Sequence, residues 1–238
     1  MNAAPTDPRH REILDALRGR LIVSCQAREG EPLHGPVHMT AMALSVLAGG
    51  AAGVRLEGPD DIAAVRAATV APIIGLWKFG EDPVYITPTL ATAHAVAEAG
   101  ADIVAVDGTG RPRPDGILLA TVIEEMHRRH GLPVMADVAT LAQARDAVRA
   151  GADVLSTTLS GYAGGPDSEE PDLTLVRALA AESAVPVFAE GRIAIPEEAA
   201  EALRVGAWAV VVGSAITRPT ALTARFVAAL DRQETRRP

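Results

Sequence analysis

Gly100-Ala101-Asp102-Ile103-Val104-Ala105-Val106-Asp107 decides the fold. A helical pattern ends at the glycine, and five residues of a β-branched, apolar run follow it. Glycine suits a helix C-terminus, where a left-handed conformation costs it least. The same opening returns at Gly151-Ala152-Asp153 and Gly206-Ala207, and in looser form at Gly50-Ala51. Between these lie strands that open on proline, after Pro72, Pro133 and Pro186. Proline is tolerated just before or at the first residue of a strand. The chain therefore repeats in units of about fifty residues, each holding two strand–helix modules. Four units make eight strands, and eight parallel strands favour a closed (β/α)₈ barrel over an open sheet.

Eight short apolar runs carry this reading: 21–24, 53–56, 73–76, 103–107, 134–137, 154–158, 187–190 and 209–213. Helical patterns lie between them, among them 88–98, 115–129, 141–149, 173–182 and 196–205. No hairpin signal interrupts the alternation. The 238 residues match the roughly 250 of a one-domain α/β barrel. The expectation is one domain over 1–238, with a helical extension over 1–18 and a polar tail over 232–238. Hydrophobic residues make up 48% of the chain but aromatics only 3%. The core must be aliphatic, as parallel strands buried on both faces require.

A net charge of −8 argues against nucleic acid and anionic membrane as partners. An anionic substrate would need a local cationic site. Cys25 is the sole cysteine, so no intrachain disulfide forms and a cysteine metal site is not expected. Residues 1–11 lack the apolar run of a secretory signal. No stretch approaches the ~18 apolar residues of a membrane span, and a cytoplasmic protein is expected. The six histidines show no metal-ligand spacing, so no metal is expected.

Lysine occurs once, at Lys78, against 21 arginines. Arginine cannot give up its proton, whereas a desolvated lysine can. Lys78 follows the third apolar run, where a barrel places catalytic groups. A neutral amine there can abstract a proton beside a carbonyl or form a Schiff base. The plain alternative is a surface lysine pairing with Glu81 or Asp82.

The other strand ends supply Gln26, Arg55, Asp107, Asp137, Thr157, Thr158 and Glu190. Asp137 and Glu190 are candidates for a second acid/base group, for holding Lys78, or for orienting an arginine. The loops after strands seven and eight read Glu190-Gly191-Arg192-Ile193 and Gly213-Ser214-Ala215-Ile216-Thr217-Arg218. Barrels often bind phosphate there. Glycines admit an oxyanion close to the backbone, and amides at a helix start bind it. Gly191, Arg192, Gly213 and Ser214 are the phosphate candidates, with Arg218 beside them.

Several stretches resemble one family, in order, over most of the chain. They are Leu21–Ala27 with Gly30–Leu33 after it, Val84–Thr89, Arg111–Gly116, Ser156–Tyr162, Ala189–Ile193 and Val212–Pro219. The family is the N-acetylmannosamine-6-phosphate 2-epimerases. The resemblance implies interconversion of N-acetylmannosamine 6-phosphate and N-acetylglucosamine 6-phosphate in sialic-acid catabolism, without metal or cofactor, by a homodimer. It implies that Lys78 is the catalytic lysine and Glu190 its acidic partner. Gln26, Arg55, Asp137 and Arg218 would contact substrate, with Thr157 beside them, and the loops around Gly191 and Gly213 would hold phosphate. One departure is the short stretch Trp77–Pro83, with two aromatics, where family members carry a longer charged run. Two rivals remain at this point: a Schiff-base lyase on the same barrel, and a sugar-phosphate binder without turnover.

Overall fold

The computed structural model describes residues 7–165 and 167–234. Eight parallel strands close into a barrel in sequence order. They are β1 (Leu21–Cys25), β2 (Gly53–Glu57), β3 (Ile73–Leu76), β4 (Ile103–Asp107), β5 (Val134–Asp137), β6 (Val154–Ser156), β7 (Val187–Glu190) and β8 (Ala209–Val212). β1 pairs with β8 through Leu21↔Val210 and Val23↔Val212, which shuts the barrel. Strand limits differ from the sequence reading by one or two residues at β1, β2, β6 and β8. The helices are α1 (Pro8–Leu17), α2 (Pro36–Ala48), α3 (Pro59–Ala68), α4 (Leu90–Glu98), α5 (Leu119–Glu125), α6 (Leu141–Arg149), α7 (Leu173–Glu182), α8 (Pro196–Arg204), α9 (Ser214–Thr217) and α10 (Pro219–Glu234). A π-turn over Met126–His130 continues α5.

Two helices start later than their patterns predicted. The 88–98 pattern begins at α4 because Thr89 becomes the cap, its hydroxyl accepting from the Thr92 amide at 3.1 Å. The 115–129 pattern begins at Leu119 because Asp115 is used elsewhere. Its carboxylate accepts the Leu90 amide at 2.8 Å and the Ile117 amide at 3.1 Å. The polar tail expected over 232–238 starts inside α10, and residues 235–238 lie outside the described residues, as do 1–6.

The repeat has a physical cause. Gly50, Gly100, Gly151 and Gly206 all have φ between +99° and +111°, a region side chains avoid. The aspartate two residues on reaches across to the neighbouring odd strand. Asp102 accepts the Ile73 amide and Asp153 the Val134 amide, both at 2.8 Å. In the last repeat Trp208 stands there instead, and its indole donates to the Leu14 carbonyl at 2.8 Å.

Strand side chains alternate between two cores, as period-2 geometry demands. Ile22, Ile74, Leu76, Ile103, Met135, Val154, Phe188 and Val211 fill the barrel, together with Leu14 and Leu17 of α1. That helix therefore plugs the bottom. Val23, Val54, Leu56, Ile73, Val104 and Val134 face outward against helix residues such as Ile62, Val65 and Val96. Gly75 faces this outer layer, where a Cβ would lie 2.7 Å from Ala101 Cβ and 2.8 Å from Val96.

Candidate active site

The inward-facing rows change character as they climb. Ile22 gives way to Ser24 and Gln26, Met135 to Asp137, Val154 to Ser156 and Thr158, and Phe188 to Glu190. The polar groups thus gather at the C-terminal ends of the strands, the face that carries catalysis in barrels.

Arg55 of β2 is the centre, and only 1% of it is exposed. Its Nη2 donates to Asp137 at 2.5 Å. Its Nη1 donates to Glu190 and, at 2.9 Å, to the Thr158 hydroxyl. Thr158 Oγ1 also lies 2.9 Å from Asp137 and 3.0 Å from Glu190, and Ser156 Oγ 3.2 Å from Glu190. One guanidinium therefore locks two carboxylates in fixed orientations. Burial pushes the Asp137 carboxyl up, and the charge of Glu190 adds to that, while Arg55 opposes it.

Lys78 lies one residue beyond Trp77 on the climb of β3. Its Nζ is 2.7 Å from Gln26 Oε1, and Gln26 in turn donates to Ser24 at 2.9 Å. The ammonium opens onto solvent at the mouth, yet barrel walls crowd its flanks. That loss of hydration lowers its pKa, and the positive charge of Arg55 lowers it further; Glu57 and Glu190 pull the other way. Glu57 also accepts the Lys78 backbone amide at 3.2 Å.

The short loop after β3 folds back on itself. Lys78 and Ile86 form an antiparallel bridge, the one such bridge among the described residues and a departure from the all-parallel expectation. The Phe79 amide donates to Tyr85 O at 3.0 Å and the Thr87 amide to Trp77 O at 2.8 Å. Alternation along this hairpin puts Trp77 and Phe79 on one side, with ring centroids 5.1 Å apart, and Lys78 on the other. Thr87 closes the loop at φ +45°, unusual for a β-branched residue. Its hydroxyl donates to the Ala105 carbonyl at 2.6 Å, and Arg113 donates to its own carbonyl.

The two glycine loops meet beside this cluster. A Cβ at Gly213 would stand 3.3 Å from that of Ser24, so any side chain where β8 turns into α9 would press β1 by a few tenths of an ångström. Thr217 ties α9 to the Ser24 carbonyl at 2.8 Å. The Ser214 and Ala215 amides precede the first bonds of that helix, which begin at Ile216 and Thr217. Gly191 has φ +106° and Arg192 φ +59°.

Two expected residues, Thr157 and Arg192, stand differently from the sequence reading. Thr157 has the wrong parity to face inward. Its hydroxyl donates to the Glu190 carbonyl at 2.8 Å and accepts the Glu190 amide at 3.0 Å, so it braces β7. Thr158 occupies the place assigned to it. Counting every second residue from Val154 would have chosen Thr158. Arg192 donates to the carbonyls of Glu170 and Ser160 at 2.8 and 2.7 Å, which fastens the loop after β6 rather than offering a free fork. Arg218 pairs with Glu31 of the first loop. Ser156 belongs to the cluster and was missed, though it follows from the same parity count; Glu57, the polar end of β2 after Arg55, reaches the cluster's edge through the Lys78 amide.

Known proteins resemble this chain in sequence and fold. A family model described as "Putative N-acetylmannosamine-6-phosphate epimerase" matches residues 39–232. The chain belongs to this epimerase family. A Cutibacterium acnes protein named as the corresponding 2-epimerase is 47% identical over 221 residues, 92% of this chain and 96% of that one. A Caldanaerobacter subterraneus protein of the same name is 47% identical over 91% of this chain and 93% of its own. The solved structure of the Clostridium perfringens N-acetylmannosamine-6-phosphate 2-epimerase superposes with a TM-score of 0.89 at 39% identity, over 95% of this chain and all of that one. Within the epimerase family, then, this chain keeps the whole barrel.

Proposed function

We propose that this chain is an N-acetylmannosamine-6-phosphate 2-epimerase, interconverting that sugar with N-acetylglucosamine 6-phosphate in sialic-acid catabolism. The observation that carries the reading is an amine of lowered pKa, Lys78, held by Gln26 beside the Arg55–Asp137–Glu190 cluster. In the open-chain sugar the C2 hydrogen lies next to the C1 aldehyde. Neutral Lys78 takes that proton, the electron pair moves into a C1–C2 double bond, and negative charge collects on O1. Stabilising it requires donors aimed at the developing charge. Protonated Lys78 and the Gln26 amide supply them. Glu190, fixed by Arg55, sets the protonation of Lys78. Asp137, Arg55 and Thr158 shape the sugar site, and Arg218 contacts the substrate. The phosphate rests on Gly191, Gly213 and Ser214, with Arg192 holding the loop beneath it. Inversion then returns a proton to the opposite face.

The same reading makes the protein a cytoplasmic homodimer. Residues 223–231 of α10 are all exposed, with Phe226 at 73% and Leu230 at 69%, so this helix leaves an apolar face without cover on its own barrel. A second copy covers it. No helix among the described residues is long and apolar enough to cross a membrane.

The test is an NMR time course with N-acetylmannosamine 6-phosphate in deuterated water. The expected result is N-acetylglucosamine 6-phosphate with deuterium at C2, and loss of both in Lys78→Ala. Undiminished exchange in that variant would remove Lys78 from the mechanism. Trapping of the sugar on Lys78 by borohydride would favour the Schiff-base lyase instead.

A further inference from the structure

At the end of the barrel opposite the rim, three residues from three elements turn ligand atoms toward one another. His10 stands on α1, His127 in the π-turn, and Asp153 in the lead-in to β6. One ligand atom from each lies within 4.8 Å of the other two. Asp153 Oδ2 is 2.7 Å from His127 Nε2, and Asp153 Oδ1 is 3.5 Å from His10 Nδ1. Residues 117 and 26 positions apart in the chain meet here, so no sequence spacing announces the group.

The tautomer of His10 is informative. Its Nε2 lies 3.1 Å from the Gly131 carbonyl oxygen, which can only accept. Nε2 therefore carries the hydrogen, and in a neutral ring Nδ1 presents a bare lone pair to the Asp153 carboxylate. Two lone pairs facing each other need a cation between them, either a proton or a metal ion. A backbone carbonyl behind the far nitrogen is also how metal-bound histidines are commonly oriented. The earlier repeat solves the same problem differently. Asp102 caps Ile73 as Asp153 caps Val134, but its charge is met by Arg66 at 2.6 Å, a permanent cation. At Asp153 two imidazoles, whose charge is optional, take the place of that arginine.

We propose that His10, His127 and Asp153 bind a divalent transition-metal ion of the zinc type, which clamps α1 and the π-turn to the base of the barrel. Two imidazoles and a carboxylate, with no thiolate, suit zinc in preference to softer or harder ions. Zinc–ligand bonds of about 2.0–2.2 Å put neighbouring tetrahedral ligands roughly 3.3 Å apart; His10 Nδ1 and Asp153 Oδ1 stand near that at 3.5 Å, while His127 Nε2, hydrogen-bonded to Asp153 Oδ2 at 2.7 Å, gives up that hydrogen and draws back a little to take the ion. Water completes the shell. His127, at 35% exposure, gives the path in, along a groove lined by Ile123, Glu124, Arg128 and Gly151, while His10 and Asp153 are enclosed. Insertion of a π-turn into a helix is itself a frequent mark of a functional position. The site lies on the face where barrels place stabilising rather than catalytic residues, so the ion is structural.

The test uses the full-length chain without an affinity tag, stripped by chelator and titrated with Zn²⁺ by calorimetry. One ion per chain is expected, with a rise in Tm, and Co²⁺ in its place should give the visible bands of tetrahedral coordination. His127→Gln should weaken binding by at least about tenfold while the epimerase rate stays in place. His130→Gln is the control, because the His94–His130 pair, 2.8 Å apart, is the nearby alternative. It should bind as the unaltered chain does. Absence of stoichiometric uptake by the unaltered chain, or equal uptake by His127→Gln, overturns the proposal.

Discussion

Lys78 sits between opposed charges, Arg55 lowering its pKa and Glu57 raising it. Removing the negative neighbour should therefore lower that pKa further. In Glu57→Gln the rising limb of kcat/KM should move to lower pH, since the neutral amine then forms sooner. The amide oxygen can still accept the Lys78 backbone hydrogen, so the loop is kept. A pH–rate profile that stays in place or moves upward would show that Glu57 does not tune this amine. Thr157 and Thr158 make a second residue-scale test. Thr158→Val removes the hydroxyl that joins Arg55, Asp137 and Glu190 and should cost kcat on the order of tenfold or more. Thr157→Val removes two bonds to the β7 backbone, each worth about 1 kcal/mol. It should lower Tm while kcat per folded molecule is retained. Lys78, Glu190 and Arg55 were legible from sequence because a strand end is readable from an apolar run and its bounding turn. Thr157 was chosen over Thr158 because a strand end alone does not say which of two adjacent residues faces in; the alternation from Val154 does.

The repeat of Gly-Ala-Asp openings was legible because glycine at positive φ and proline at a strand start are local demands. The late start of α5 was not, because it depends on Asp115 reaching to Leu90, 25 residues away. At this scale Gly75 makes a sharp prediction. A methyl group there would meet Ala101 and Val96 well inside contact distance, and overpacking of this kind costs about 1–3 kcal/mol. Gly75→Ala should lower Tm measurably, and no change would mean α4 can retreat from β3 freely. The anchoring of α1 carries a pH dependence in metal-free protein. Burial alone would raise Asp153, but hydrogen bonds from His10, His127 and the Val134 amide bring it down to about 2. Burial alone would lower His10, but Asp153 and the Gly131 carbonyl raise it. The depressed carboxylate contributes stability above its unfolded value near 3.9, lost as pH falls toward about 2. The raised imidazole contributes below its unfolded value near 6.5, lost as pH rises through its folded value. The Tm gap between the unaltered chain and His10→Gln should therefore be widest near about pH 5 and narrow above neutrality.

The barrel as a whole leaves α10 standing away from its own wall, with Phe226, Val227 and Leu230 in solvent. If a second copy covers that face, Phe226→Glu with Leu230→Glu should convert a dimer to a monomer by light scattering at micromolar concentration. An unchanged mass would place the interface elsewhere. The helix itself could be read from its pattern, but whether it folds back on the barrel could not, since the same stripe serves both arrangements. Lys78 has a last consequence at this scale. A protein of 238 residues with one ε-amine is a single-probe molecule. Reductive methylation with ¹³C-formaldehyde labels that amine and any free α-amino group, and nothing else. Two methyl resonances then report the whole spectrum, and that of the Lys78 amine, expected to titrate below the usual 10.5 of lysine, reads the protonation of the proposed base directly, without substrate.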